Sequence, residues 1–316
     1  MNVLVTGGAG YLGSALLPML LNRGDSVTVL DTLLWGIEPL LHVAANPRLH
    51  IISEDIRDRA AVRDAMNGQD AVIHLGSVVG YPACEADREA AVSTNIDGTR
   101  NVMEAAEGRP FLFASTCSVY GRVLERCDEA TPVRPLSLYG VTKAKAEEIA
   151  TVAGGAVLRF ATLYGIAPRL RLDLLVNDFT HQAVHSGRLT IYEPHFRRTF
   201  LHVMDAARSL IFCLDNYRHM AGHVFNVADE RTTTTKLELA QKIQEQVDFQ
   251  IYTSGNGSDR DQRDYEVSAA RICQLGFAPQ LTLEEGIREL VKVTRHVRTR
   301  EPVSRLTFAA APGRLR

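Results

Sequence analysis

The sequence predicts an α/β protein built on a doubly wound, mainly parallel sheet, with a smaller mixed α/β lobe formed by its second half. Three observations carry that expectation. The first 31 residues read as strand, glycine turn, helix and second strand, ending on an acid. Short β-rich apolar runs then recur at residues 49–53, 70–75, 111–114 and 156–160, separated by helical stretches, as in a parallel sheet with crossover helices. From Ile166 onward the alternation fails, which marks a second kind of structure.

Residues 2–6 (NVLVT) form the first run, and Gly7-Gly8-Ala9-Gly10-Tyr11-Leu12-Gly13 follows at once. A helix pattern covers residues 14–23, with Gly24 as its stop and Pro18 as an irregularity. Such a turn presents backbone N–H groups at a helix N-terminus, where unpaired donors and the helix dipole favour an anion. Gly7 allows the tight turn, Gly10 the close approach of a pyrophosphate, and Gly13 the packing of helix on strand. Residues 26–30 (SVTVL) form the second strand, and Asp31 stands eighteen positions after Gly13, where it can accept both hydroxyls of an adenosine ribose. An acid there repels a 2′-phosphate, so the expected cofactor is NAD rather than NADP.

With the spacing G-x-x-G-x-x-G in TGGAGYLG, the chain resembles the extended short-chain dehydrogenase/reductase family. The resemblance implies a Rossmann domain at residues 1–165 that binds NAD, a substrate-binding lobe at 166–295 interleaved with the main sheet, and action on a nucleotide-activated sugar. Tyr11 and Leu12 belong to the implied cofactor turn.

Past Asp31 the only tryptophan, Trp35, can wall the adenosine or simply pack. Asp55-Ile56 matches the Asp-hydrophobic pair that contacts adenine in the family. Asp55 can equally cap a helix over residues 57–66. The strand at 70–75 ends in Leu75-Gly76-Ser77, small residues where the family's backbone runs beneath the cofactor; His74 reads as a packed strand residue. The loop 78–84 should border the sugar. A long helix over 85–107 carries Asn95 in N-x-x-G-T, which in the family supports the active-site backbone and the nicotinamide side.

Residues 111–114 deliver Ser115-Thr116-Cys117-Ser118-Val119-Tyr120-Gly121, and a helix opening near Ser137 carries Tyr139 and Lys143. Four residues apart on a helix, the two side chains share a face. A phenol with a pKa near 10 is a poor base at neutral pH, and a neighbouring ammonium stabilises its phenolate. Lys143 can also hydrogen-bond the nicotinamide ribose. Thr116, 23 residues before Tyr139, stands where the family carries its catalytic Ser or Thr. Thr116, Tyr139 and Lys143 are therefore read as the catalytic triad.

The second half is expected to hold helices near 174–186, 203–216, 236–247, 268–275 and 283–297, with strands near 189–192, 223–227 and 249–253. By resemblance Arg198, in R-T-F-L-H-V-x-D, grips the nucleotide diphosphate through its planar fork. Arg263 occupies the place of a second phosphate arginine, Tyr192 that of the aromatic under the base, and Asn177 is a further diphosphate candidate. Cys117 is a candidate at the sugar, against the alternative of a buried thiol packing as a small hydrophobe.

These features point to an NAD-dependent epimerase of a nucleoside-diphosphate sugar, with C4 inversion through a 4-keto intermediate and UDP-hexose as default substrate. The family's 4,6-dehydratases place Asp-Glu directly after the catalytic threonine, where this chain has Cys117 and Ser118. A 3,5-epimerase of the GDP-mannose type would need a Cys/Lys pair, and no lysine lies between Lys145 and Lys236. That proton-exchange epimerase stays an alternative, with Cys117 or Cys84 serving beside Arg171 or a histidine, as do a 4-ketoreductase and an NAD(H)-sensing binding protein. Formal net charge −2 gives no basic excess for nucleic acid, and no apolar run approaches the roughly 20 residues needed to cross a membrane. The five cysteines are scattered without C-x-x-C spacing, so neither a disulfide framework nor a metal site is expected, and the cytoplasm is the default compartment. The helices around Asn95 and Tyr139 are expected to pair in a homodimer, and residues 296–316 form a basic tail.

Overall fold

The computed structural model describes residues 1–123, 126–255, 257 and 263–297. The expected tail lies outside the described residues from position 298 onward.

Seven strands make the main sheet: β1 (Asn2–Thr6), β2 (Ser26–Leu30), β3 (Leu49–Ile52), β4 (Ala71–His74), β5 (Phe111–Thr116), β6 (Ala156–Phe160) and β7 (Val224–Val227). All pairings are parallel, in the order β7-β6-β5-β4-β1-β2-β3. The order reverses between β1 and β4, and ligands of such sheets bind in the crevice outside the strand C-termini at that point. Both faces are covered, and alternate strand residues serve opposite cores. Val3 and Val5 pack with Leu16, Leu17 and Leu20 of helix α1 (Tyr11–Asn22), whereas Leu4 packs with Val62, Val102 and Ala146 on the other side.

The second half returns to this sheet twice. Helix Val203–Asp215 shares the core of α1, and β7 extends the sheet edge. The lobe proper has its own core, centred on Tyr164, Val176, Phe179, Phe200, Leu239 and Leu290. Its three-stranded sheet pairs Arg197–His202 antiparallel with Asp229–Thr235 and parallel with Thr162–Tyr164. A second pair joins Arg188–Tyr192 to Gln250–Ser254.

Two helix expectations are corrected. Instead of one long helix over 85–107, there are Tyr81–Ala86, Arg88–Val92, a π-helical turn Ser93–Gly98, and Thr99–Ala106. Asp87 breaks the run by leaving helical geometry and accepting from the Ala90 N–H at 2.9 Å as an N-cap. The helix expected at 57–66 begins at Arg59, capped by Asp58 rather than Asp55. The Asp55 carboxylate is held by Arg57 at 2.6 Å.

Candidate active site

The floor of the crevice is the glycine turn. Gly7 has φ +70°, and a Cβ there would lie 2.7 Å from the Gly76 nitrogen; one on Gly13 would lie 2.5 Å from the Gly7 carbonyl oxygen. Gly10 caps α1 with no side chain to fill the space before it. Asp31, at the end of β2, accepts from the Ala9 N–H (3.0 Å) and the Leu33 N–H (2.9 Å). Burial raises its pKa, and the two N–H bonds oppose that rise. A tight turn at Gly7, close packing at Gly13 and a bare Gly10 beside a fixed carboxylate fit a dinucleotide, with Gly10 and the N-terminus of α1 against the diphosphate and Asp31 against a ribose.

The other expected cofactor residues divide into two groups. Leu75, Gly76 and Ser77 are half-buried beside Gly7, and the Gly76 N–H is fixed by the Thr6 hydroxyl at 3.1 Å. Leu12 is half-buried against the core, while the Tyr11 ring is buried and its hydroxyl donates to the Gly165 carbonyl at 2.8 Å. Ile56 packs against Gly98 and its carbonyl accepts from Asn101. Asn95 is buried: its carbonyl oxygen accepts from the Val78 N–H (2.7 Å), and its NH₂ donates to the Val78 carbonyl and the Thr142 hydroxyl (both 3.0 Å). It therefore ties the 76–80 loop to the helix of Tyr139, and the π turn carrying it is what brings its amide inward. His74 is buried between the hydroxyls of Thr6 (2.6 Å) and Thr99 (3.0 Å), with its pKa pushed down to about 3, chiefly by burial.

Tyr139 and Lys143 lie on helix Leu138–Val152, which Ser137 caps by accepting from the Gly140 N–H at 3.2 Å. Lys143 is buried, its ammonium 4.2 Å from the Phe113 ring centroid. Burial brings its pKa down to about 7, against the attraction of Glu147. Thr116 closes β5, and its hydroxyl oxygen accepts from the Ser118 N–H at 3.2 Å, leaving its own proton to donate. Arg171, paired with Asp173, has its charge within the field of the Tyr139 phenol.

Sequence reasoning missed the network beneath these residues. Glu147, one turn past Lys143, forms a two-pronged pair with Arg159 on β6 (2.7 and 3.0 Å) and accepts from the Ser115 hydroxyl. Arg159 donates to the Tyr120 hydroxyl (3.0 Å), which donates to Asn226 on β7 (2.6 Å). The signal was present, since Y-x-x-x-K-x-x-x-E keeps Glu147 on the inward stripe of the same helix.

On the substrate side, Arg198 is buried and Arg263 half-buried, and the charge of each opposes the burial that pushes the Tyr265 phenol well up. The Tyr265 hydroxyl donates to the Cys117 carbonyl at 2.7 Å, so the two arginines gather near the end of β5. The Cys117 thiol points into the core toward the Arg159 carbonyl (3.4 Å), and burial raises its pKa well above the usual thiol range. That placement turns the thiol into the core. Asn177 is also buried, its amide occupied by the Gly165 backbone and the Arg171 carbonyl, so it shapes the 165–171 loop. Tyr192 is 41% exposed, and the Lys236 ammonium lies 4.2 Å from its ring centroid. Among the described residues no three His, Cys, Asp or Glu side chains form a metal-holding group, and no helix is long and apolar enough to cross a membrane.

The NAD dependent epimerase/dehydratase family model matches residues 3–228. The chain belongs to that family. It is thus an enzyme of NAD-dependent nucleotide-sugar chemistry, with NAD as cofactor. UDP-glucuronic acid decarboxylase 1 of Arabidopsis thaliana is 30% identical, over 94% of this chain and 70% of that protein. A dTDP-glucose 4,6-dehydratase of Streptomyces niveus is 31% identical over 92% of each. Among solved structures, UDP-glucuronic acid 4-epimerase from Bacillus cereus, in complex with UDP-glucuronic acid and NAD, superposes with a TM-score of 0.82 at 25% identity, covering 93% of this chain and 99% of that one.

Proposed function

We propose that this family member is an epimerase of a nucleoside-diphosphate sugar, inverting C4 through a transient 4-keto sugar, with a UDP-hexose as substrate. The observation that carries the reading is the contrast around Thr116: Tyr139 and Lys143 supply a proton acceptor, while the two positions after the threonine hold a core-facing thiol and a buried serine. Dehydration needs a base at C5 and an acid for the departing C6 hydroxyl, and neither Cys117 nor Ser118 offers one. Decarboxylation of a uronic acid likewise needs an acid to protonate C5 after carbon dioxide leaves.

Tyr139 takes the proton of the C4 hydroxyl and returns it, Lys143 stabilises the phenolate, and Thr116 orients the hydroxyl by donating its own proton. NAD held on the glycine turn and Asp31 would supply the hydride acceptor and donor that inversion through a ketone requires at C4. Arg198 and Arg263 hold the diphosphate, and Tyr192 offers a face for the base. A hexuronic acid is the second reading, favoured by the Arg171 guanidinium in the field of the catalytic phenol and by the bound ligand of the Bacillus cereus 4-epimerase. The proposal includes a homodimer paired through the 81–106 and 138–152 helices, on which Val92 and Val152 are exposed; a monomeric sedimentation profile would remove that part.

The decisive experiment incubates the purified protein with UDP-, GDP-, CDP- and dTDP-linked hexoses and hexuronic acids in deuterated water and reads the products by NMR. C4 inversion with no deuterium on carbon is expected. Deuterium at C3 or C5, a 4-keto-6-deoxy product or release of carbon dioxide would each replace the reading by another reaction of the family.

A further inference from the structure

The segment 165–173 crosses the N-terminal turns of α1 on its way from β6 to the lobe. Two bonds seat it there: the Tyr11 hydroxyl donates to the Gly165 carbonyl (2.8 Å), and the Arg169 N–H donates to the Ser14 hydroxyl (3.2 Å). The Arg169 guanidinium then reaches the Trp35 ring, 4.3 Å from its centroid. Trp35 belongs to the turn after Asp31, where Leu33 and Gly36 take left-handed backbone conformations and the Leu33 N–H is held by the Asp31 carboxylate. Asp31 in turn attracts Arg169. The acid suited to a ribose, the indole and the guanidinium thus converge at one end of the crevice, with the glycine turn as floor and the 165–173 segment crossing above α1.

We propose that Arg169 and Trp35 form a clasp over the adenosine end of the dinucleotide crevice and set how slowly NAD leaves. The purpose rests on the epimerase reading: a reaction that returns its hydride ends each cycle with the cofactor as it began, so slow cofactor exchange does not limit turnover. Its geometry does not depend on that reading. Arginine suits the task because its planar, weakly hydrated guanidinium stacks on an aromatic face while keeping its charge. Burial and the neighbouring Arg171 bring its pKa down only to about 10, so it stays cationic at neutral pH.

The test measures NAD release with no sugar present, so it fails or succeeds independently of the product panel. The NAD-loaded protein is mixed with isotopically labelled NAD, and the bound fraction is followed by gel filtration and mass spectrometry. Arg169→Ala and Trp35→Ala should each speed release about three- to fivefold, the upper range of a cation–π contact on a partly exposed ring. The double variant should be no faster than the faster single one, since either change opens the same clasp. Arg169→Lys, which keeps the charge and loses the plane, should also release faster than the parent. Trp35 is the only tryptophan, so its fluorescence should change when NAD binds the parent protein. Release within twofold of the parent in both alanine variants, multiplied effects in the double variant, or parental release in Arg169→Lys would overturn the clasp.

Discussion

One turn of helix Leu138–Val152 separates two buried charged sites that are treated in opposite ways. At Glu147 the carboxylate meets both prongs of Arg159 and the Ser115 hydroxyl, and the arginine goes on to Tyr120. At Lys143 the ammonium has the face of Phe113 and no ion pair among the described residues. Full pairing fixes geometry: Ser115 precedes Thr116, so the strand end, the helix of Tyr139 and β6 are joined at one carboxylate. Incomplete pairing leaves a proton that can move near neutral pH, which suits a group that tunes a phenol. Under the proposed mechanism the upper turn serves chemistry and the lower one position.

The contrast should be broken most visibly at the upper turn. Lys143→Met should lower turnover by about 10²–10⁴-fold, the usual worth of a proton-transfer group, yet stabilise the cofactor-free fold. A lysine whose pKa falls from 10.5 to about 7 imposes a burial cost of roughly 5 kcal/mol. The sign follows from proton counting. Below pH 7 both folded and unfolded chains carry the proton and the cost is complete; between 7 and 10.5 only the unfolded chain does, so parental stability rises; above 10.5 the cost is gone. Thermal melts of parent and variant should therefore differ most at pH 6 and draw together steadily as pH rises toward 10.5. A variant less stable at pH 6 would show that Lys143 is a structural cation.

The lower turn should respond in the opposite sense. Glu147→Gln leaves Arg159 buried without its carboxylate and should destabilise the fold by about 3–5 kcal/mol in denaturant titration. Adding Arg159→Met should recover part of that loss, because the stranded charge is removed. A double variant as unstable as the sum of its singles would mean that the pair does not act as a unit.

How much of this was legible in the sequence follows the same division. The turn at Gly7 to Gly13, Asp31, and the Y-x-x-x-K pair depend on residues close in sequence, where backbone geometry dictates residue type. The strands Arg197–His202 and Asp229–Thr235 gave little warning, because their partners are distant and the run Thr232 to Thr235 has no apolar alternation. Asn95 stands out in N-x-x-G-T, but the π turn that carries it and the break at Asp87, where a side chain takes a backbone N–H, are not visible in the local pattern. Asn177 looked like a diphosphate ligand and instead fills its hydrogen bonds with the 165–171 backbone, which no local pattern reveals.

Cys117 offers the smallest effect and the sharpest division between epimerase chemistries. A proton-exchange epimerase would need a group beside the sugar whose proton trades with carbon, and a thiol can serve only where its thiolate is accessible. Here the sulfur lies among Tyr120, Cys127 and Tyr265 of one core cluster, against the Arg159 carbonyl, while the residue's own carbonyl accepts from Tyr265. Burial disfavours the thiolate, and the backbone contact serves as well with any small side chain. Cys117→Ala should therefore keep turnover within about threefold of the parent and cost about 1 kcal/mol through the small space left behind. Its products in deuterated water should match the parent's at every carbon. A collapse of turnover with an unchanged melting temperature would place the sulfur at the sugar and restore the proton-exchange mechanism, because a packing defect large enough to stop catalysis would lower the melting temperature as well.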